Sequence, residues 1–336
     1  MNEILLELRN LRTAFLGEDA PAIAVDGVSL RVRAGTTLGL VGESGCGKSA
    51  LALSILRLLP APSGRILGGS VLFDGKDLLK LDDSQLRRIR GKEIGMVFQE
   101  PMTSLNPVYP CGEQVAEVLR LHEGLSRKVA RSRAIELLHA VGIPEPARRV
   151  DDYPHQLSGG MRQRVMIAMA IACRPRLLIA DEPTTALDLT IQQQILRLLD
   201  SLQSEMGMSL LHITHDLAVL AESAHEVAVM YAGRLAEVGP AARIFERPAH
   251  PYTLGLLACR PESALPSGRL RVIGGNVPDP RERSGGCRFA PRCPFARDRC
   301  REEAPPLSAV AEGHEAACFE SERVLQEGRW PDARAS

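Results

Sequence analysis

One short run carries the residue types that handle phosphate. Gly42-Glu43-Ser44-Gly45-Cys46-Gly47-Lys48-Ser49 follows the apolar stretch Thr37 to Val41 and leads into Ala50 and a helix-forming segment. Glycines at 42, 45 and 47 let the backbone turn its N–H groups toward phosphate oxygens, and the helix that follows offers its positive end. Lys48 has the reach for β- and γ-phosphates, and the Ser49 hydroxyl suits Mg²⁺. Residues Gly42 to Ala50 are therefore expected to wrap the phosphates of a nucleoside triphosphate.

Three further polar positions end short apolar runs. Asp181 closes Leu177 to Ala180, at the edge of a strand where it can hold Mg²⁺. Glu182 comes next and suits a general base that polarises an attacking water. His215 closes Leu210 to Thr214, where it can touch the γ-phosphate and hold the water against Glu182. Gln99 closes Ile94 to Phe98 and can reach Mg²⁺ or water. Singly these read as a helix cap, a structural histidine and a surface amide. Beside a phosphate loop, the functional reading is the stronger one.

The elements that must position them alternate in type. Val28, Leu30 and Val32 alternate with polar residues as a half-buried strand does, and Leu51 to Leu59 reads as a helix closed by Pro60. Ala130, Ala134, Leu137, Leu138 and Val141 share one helical face, ended by Gly142 and Pro144. The expected fold is an α/β core over 1–245 with a helical insert at about 101–165. Beyond about residue 246 Pro and Gly thicken and strand-like runs become sparse, which suggests a small irregular extension over 246–336.

Composition narrows the function. The chain has 336 residues, with Lys+Arg and Asp+Glu both 41, so no global nucleic-acid footprint appears. The longest apolar run, Val165 to Cys173, falls far short of the roughly 20 residues a membrane span needs. Met1-Asn2-Glu3 does not open a signal peptide. Cys46 sits inside the phosphate loop, where a disulfide would disrupt it, so a reducing cytosol is expected.

With Leu157-Ser158-Gly159-Gly160-Met161 about 110 residues after the phosphate loop, the chain resembles the nucleotide-binding subunits of ATP-binding cassette (ABC) transporters. The likeness covers about residues 3–260, including Ala186-Leu187-Asp188 after the Asp181-Glu182 pair. It implies that Ser158, Gly159 and Gly160 bind the γ-phosphate held by an opposing subunit. They are expected to precede a helix, Met161 to Ala172, whose N-terminus favours anions. Met161 stands where Gln is commoner, with little loss expected. Phe15, after the first expected strand, lies where such ATPases place an aromatic under adenine; the alternative is a partly buried loop residue.

Phe98-Gln99-Glu100-Pro101-Met102-Thr103-Ser104-Leu105-Asn106-Pro107, the run from Met161 to Ala170, and His250-Pro251-Tyr252-Thr253 are similar to dipeptide/oligopeptide importer ATPases, and within them to the D-type subunit. That resemblance implies a distinct F-type ATPase partner, two membrane permeases and, indirectly, a peptide-binding protein, with no nucleic acid. It implies ATP and Mg²⁺ as ligands, and a peripheral position on the cytoplasmic face of the bacterial inner membrane. The segment Glu100 to Val108 would pass the free energy of hydrolysis to a permease. Nickel or glutathione import is the rival within transport, and a soluble ABC protein of DNA repair or translation the rival outside it.

Cys287, Cys293, Cys300 and Cys318 fall in a 32-residue window spaced C-x5-C-x6-C-x17-C. A loop-rich segment buries too little apolar surface to hold one shape, so a metal staple is expected there. Four thiolates suit Zn²⁺ or a [4Fe–4S] cluster, and plain thiols remain possible. The subfamily resemblance favours the cluster. Arg281, Arg283, Arg288, Arg292, Arg297, Arg299 and Arg301 would offset its charge or form a solvated basic surface. His314 competes with Cys318 as fourth ligand. Cys111, Cys173 and Cys259 read as packing residues.

Overall fold

The computed structural model describes residues 3–17, 20–185, 187–260, 271–282 and 285–330. Ala186, Arg283 and the side chains of Pro101 and Met102 lie outside the described residues. Its strands are β1 (Ile4–Phe15), β2 (Ala22–Arg33), β3 (Thr37–Val41), β4 (Gly64–Phe73), β5 (Lys76–Asp77), β6 (Ile94–Val97), β7 (Leu177–Asp181), β8 (Ser209–Thr214), β9 (Glu226–Tyr231), β10 (Arg234–Pro240), β11 (Ser308–Ala311) and β12 (His314–Ala316).

The chain divides into two compact units, the first formed by Met1–Leu6, Arg31–Thr36 and Leu72–Ile213. Here β6, β7 and β8 run parallel, with Val97 opposite Ala180 and Asp181 opposite Ile213. Every residue of β7 and β8 is buried. Strands covered on both faces need not alternate, and β8 buries even Ser209, His212 and Thr214. Around this ladder the segment 101–165 is helical: Pro101–Ser104, Cys111–Glu123, Arg127–Ala140 and Pro146–Arg149. The helix Arg127–Ala140 buries Ala130, Ala134, Leu137 and Leu138, the face its periodicity marks. Ser126 caps it by accepting from Val129 N, and Gly142 at φ 77° follows its end. These residues share one core with Val97, Leu178 and Ala180 of the strands.

The second unit comprises Glu7–Leu30, Thr37–Val71 and Thr214–Ser336. Here β2, β1 and β4 lie side by side in that order. A second ladder runs β3-β9-β10-β12-β11, with β3 parallel to β9 and the rest antiparallel. The strands β9 and β10 and the helix Leu189–Met206 are absent from the sequence-based expectation. So is the β11–β12 hairpin, because its strands are short and part-polar and gain order by pairing with β10. Glu237 of β10 is fully buried, opposite Ala316.

Two boundaries shift. The helix after the phosphate loop is Lys48–Ile55, ending four residues before Leu59, because Arg57 enters the left-handed region at φ 53°. The helix expected from Met161 begins at Gly159, because Ser158 is its N-cap and accepts from Met161 N at 3.3 Å. Phe15 is the last residue of β1 rather than following it. No helix among the described residues is long and apolar enough to cross a membrane.

Candidate functional site

The phosphate loop belongs to the second unit, between β3 and the helix Lys48–Ile55. Its glycines answer to measurable crowding. A Cβ on Gly42 would lie 2.2 Å from Met230 O, and one on Gly47 would lie 2.1 Å from Ala24 O, where φ is already +107°. Neither carbonyl belongs to a flexible side chain, so only glycine fits. The helix has no side-chain cap at Gly47. Ser44 and Gly45 face solvent, and Ser49 is half-buried.

Lys48 is buried and donates from Nζ to Gly42 O at 2.7 Å and Glu43 O at 3.1 Å. Glu43 is held from two other sides. Its N–H donates to the Tyr252 hydroxyl at 2.8 Å, and its carboxylate accepts two hydrogen bonds from Arg292, at 2.6 and 2.9 Å. Burial raises the Tyr252 hydroxyl well above the ordinary phenol range, so it stays protonated. The Glu43 hydrogen bond likewise raises the Arg292 guanidinium. Sequence reasoning assigned neither residue to the loop. Arg292 sat among the arginines around the cysteines, and Tyr252 was quoted only for a resemblance.

The first unit gathers a different set of groups. The parallel register brings the C-terminal ends of β6 and β7 together, with Gln99 and Asp181-Glu182 on them. Asp181 is buried, whereas Gln99 is exposed. The Glu182 carboxylate accepts from Thr185 Oγ1 at 3.0 Å and, at a longer 3.4 Å, from Gln99 Nε2. Glu182 itself holds φ 45°, a region that costs a non-glycine residue roughly 1–2 kcal/mol. Its N–H donates to Ile213 O at 2.9 Å, which fixes that turn. Nothing in the spacing around Thr185 marks it as a support for Glu182.

Other expected residues are placed as follows. His215 directly follows β8, exposed, in the second unit. Leu157 is buried, Ser158 and Gly159 are exposed, and Met161 packs against the helical core. A Cβ on Gly160 would come within 2.7 Å of Ile191 Cγ2, so that glycine lets two helices approach closely. Asp188 caps the helix Leu189–Met206 by accepting from Ile191 N at 3.0 Å. Phe15 is half-buried.

In the second unit Cys287, Cys293, Cys300 and Cys318 all line one small pocket, together with His250 and Phe289. Among the described residues no three Cys, His, Asp or Glu side chains already close tightly enough to hold a metal ion. Backbone hydrogen bonds reach Cys287 from Phe289 and Ala290, Cys293 from Phe295 and Ala296, and Cys318 from Glu320. Burial pushes Cys293 and Cys318 up to about 12, and it also raises Cys287. Converging sulfurs that receive N–H donors suit thiolate ligands, provided a cation offsets that burial. His314 is excluded as a rival ligand. Its Nε2 lies 2.7 Å from Glu237 Oε1, fully buried, and it is not part of the cavity wall.

Five of the seven arginines read as counter-charge or as a solvated basic surface have carboxylate partners. Arg281 pairs with Asp279, Arg288 with Asp26, Arg292 with Glu43, Arg297 with Glu320 and Arg299 with Glu303. Carboxylates nearer in space take the charge, which spacing along the chain does not reveal.

Residues 25–185 match the family described as ABC transporter, and 236–300 match the oligopeptide/dipeptide transporter C-terminal region. The chain is 52% identical to the dipeptide transport ATP-binding protein DppD of Escherichia coli strain K12, over 94% of this chain and 96% of that one. It is also 52% identical to the ABC transporter ATP-binding protein y4tR of Sinorhizobium fredii, over 96% and 97%. Among solved structures, the dimeric post-hydrolysis state of the cassette MJ0796 with ADP and Pi aligns at a TM-score of 0.63 and 31% identity. That alignment covers 70% of this chain and 98% of MJ0796.

Proposed function

We propose that this chain, which belongs to the ABC transporter family of ATP-binding proteins, is the ATP-hydrolysing motor subunit of a dipeptide or oligopeptide importer. The observation that carries the peptide assignment is the C-terminal region. The stretch matching oligopeptide and dipeptide transporters contains Tyr252 and Arg292, which fasten onto the phosphate loop. The assignment divides the chain into a cassette over 1–245, with its helical insert at 101–165, and an extension over 246–336.

In this reading residues 42–50 hold the phosphates, Lys48 the β- and γ-oxygens, and Phe15 stacks on adenine. Ser49, Asp181 and Gln99 would hold Mg²⁺, which would supply charge neutralisation to the phosphate oxygens. Glu182 takes a proton from the attacking water, with its carboxylate oriented by Thr185 and Gln99. His215 steadies that water. Leu157, Ser158, Gly159, Gly160 and Met161, with Asp188, complete the site of an opposing subunit; the dimeric solved neighbour supports this arrangement. That subunit is a distinct F-type ATPase, and the pair drives two permeases fed by a peptide-binding protein at the cytoplasmic face of the inner membrane. The segment 100–108 carries the motion outward from Gln99.

Cys287, Cys293, Cys300 and Cys318 fit a thiolate-ligated centre. Four thiolates would suit a [4Fe–4S] cluster, with Zn²⁺ as the alternative, in a structural or redox role. Iron, sulfide and zinc analysis of anaerobically purified chain decides the species.

The function is tested by assembling the chain with its F-type partner and permeases in vesicles. Peptide-loaded binding protein should stimulate ATP hydrolysis. Stimulation by nickel- or glutathione-loaded binding protein alone would overturn the peptide assignment.

A further inference from the structure

We propose that Arg292 is a positioning residue for the phosphate loop, acting through Glu43 to set the loop geometry that binds ATP. The proposal rests on the reading of residues 42–50 as the ATP site. Arg292 is built for a task more specific than holding the extension in place. Its side chain is 5% exposed, yet every one of its five N–H donors has an acceptor. Nε donates to Gly274 O at 2.8 Å. Nη1 donates to Glu43 Oε2 at 2.6 Å and the Tyr231 hydroxyl at 3.3 Å. Nη2 donates to Glu43 Oε1 at 2.9 Å and Ile273 O at 3.2 Å. The guanidinium also lies over the Tyr231 and Phe289 rings, at 5.7 and 5.9 Å. A fork-to-fork contact of this kind fixes the carboxylate in direction as well as distance.

Glu43 in turn reaches the centre of the loop. The Tyr252 hydroxyl holds its N–H, while its carbonyl accepts from Lys48 Nζ at 3.1 Å and Cys46 N at 3.3 Å. Fixing the Glu43 side chain therefore fixes the turn that carries the lysine expected on the phosphates. The clamp comes from an unusual place. Arg292 adjoins Cys293, and the segment 287–293 is bracketed by two of the four cavity cysteines. Arg288 anchors the same segment, pairing with Asp26 at 2.5 Å and with Ala232 O. The order of the cysteine region thereby bears on nucleotide affinity without any of its residues touching nucleotide.

The test measures ATP binding to the full-length chain by calorimetry, and KM and kcat in the assembled transporter. Arg292→Ala should weaken ATP binding about tenfold, equivalent to ~1.4 kcal/mol, raising KM while kcat stays within about twofold. Arg292→Lys keeps the charge but not the fork, and should recover only part of the affinity. Glu43→Gln should weaken binding to a similar degree. Combined with Arg292→Lys it should add little, because both act on one contact. Arg297→Ala, which breaks a pair inside the extension, should bind ATP as the wild type does. Should Arg292→Ala fail to fold, Glu43→Gln decides the matter, since it preserves side-chain size. Wild-type affinity in Glu43→Gln, or fully additive losses in the double variant, overturns the proposal. Failure of the wild-type chain itself to bind ATP would instead overturn the nucleotide reading of residues 42–50.

Discussion

The phosphate loop and the Gln99–Glu182 group solve opposite problems. The loop is shaped by backbone, with glycines enforced by carbonyls 2.1–2.2 Å from where a Cβ would stand. The Gln99–Glu182 group is shaped by side chains, with one carboxylate steered by a hydroxyl and an amide from a strained turn. Holding a polyanion needs many fixed dipoles, which backbone supplies without titrating. Moving a proton needs one group of tunable basicity, which only a side chain supplies. Binding and hydrolysis should therefore fail separately.

Glu182→Gln should cut turnover in the assembled transporter by about 10²–10³-fold, since an amide cannot accept the proton of the water. ATP affinity should hold. A parallel loss of affinity would break the distinction between the two regions. Gly47→Ala should do the reverse at the level of binding. The left-handed backbone and the clash with Ala24 O should reduce ATP affinity more than about 30-fold and lower stability by ~2 kcal/mol. Calorimetry and thermal melts read both, and an intact affinity would show that the loop tolerates a Cβ there.

Cys293→Ser should remove bound metal and lower the stability of the extension by about 2 kcal/mol. Glu182-dependent chemistry should persist at saturating ATP. Metal content with melting curves checks the first part, and kcat the second. The smallest effect concerns acid. Burial lowers His250 to about 3 and His212 to about 4, so both are neutral in the folded chain. The unfolded chain takes up protons on them below about pH 6.5. Stability present above that pH should thus fall as pH drops toward 4, by up to ~1.4 kcal/mol per pH unit for each histidine. His212→Leu should flatten that fall in pH-dependent melts, because no partner of its buried Nε2 is lost.

What was legible in the sequence follows the range of the physics. The phosphate loop is a local motif, since its glycines and lysine lie within eight residues of one another and need no tertiary context to be recognised. The strands β3, β7 and β8 were legible because each is a short, mainly apolar run that suits burial. The helix face through Ala130, Ala134, Leu137 and Leu138 was legible from its period. The β11–β12 hairpin was not, since it owes its form to β10, about 80 residues away along the chain. The partners of Arg288 and Arg292 were equally hidden, because Asp26 and Glu43 lie some 250 residues earlier. Their place beside the cysteines in the sequence carries no sign of these distant carboxylates.

The pairing of β12 with β10 has a consequence for how such chains can be cut. An antiparallel ladder leaves a row of open donors and acceptors along its last strand unless something covers it. Here the covering hairpin lies more than 60 residues beyond β10, and buried His314 is bolted to buried Glu237 at 2.7 Å. A protein ended after the last cassette strand would keep its catalytic motifs and still leave that flank bare. It would also strand a buried carboxylate, Glu237, without its imidazole. The hairpin thus shields the flank of β10 and hands the outer edge to the short β11, so a chain cut after β10 is expected to associate more in concentration-dependent sedimentation than the full chain.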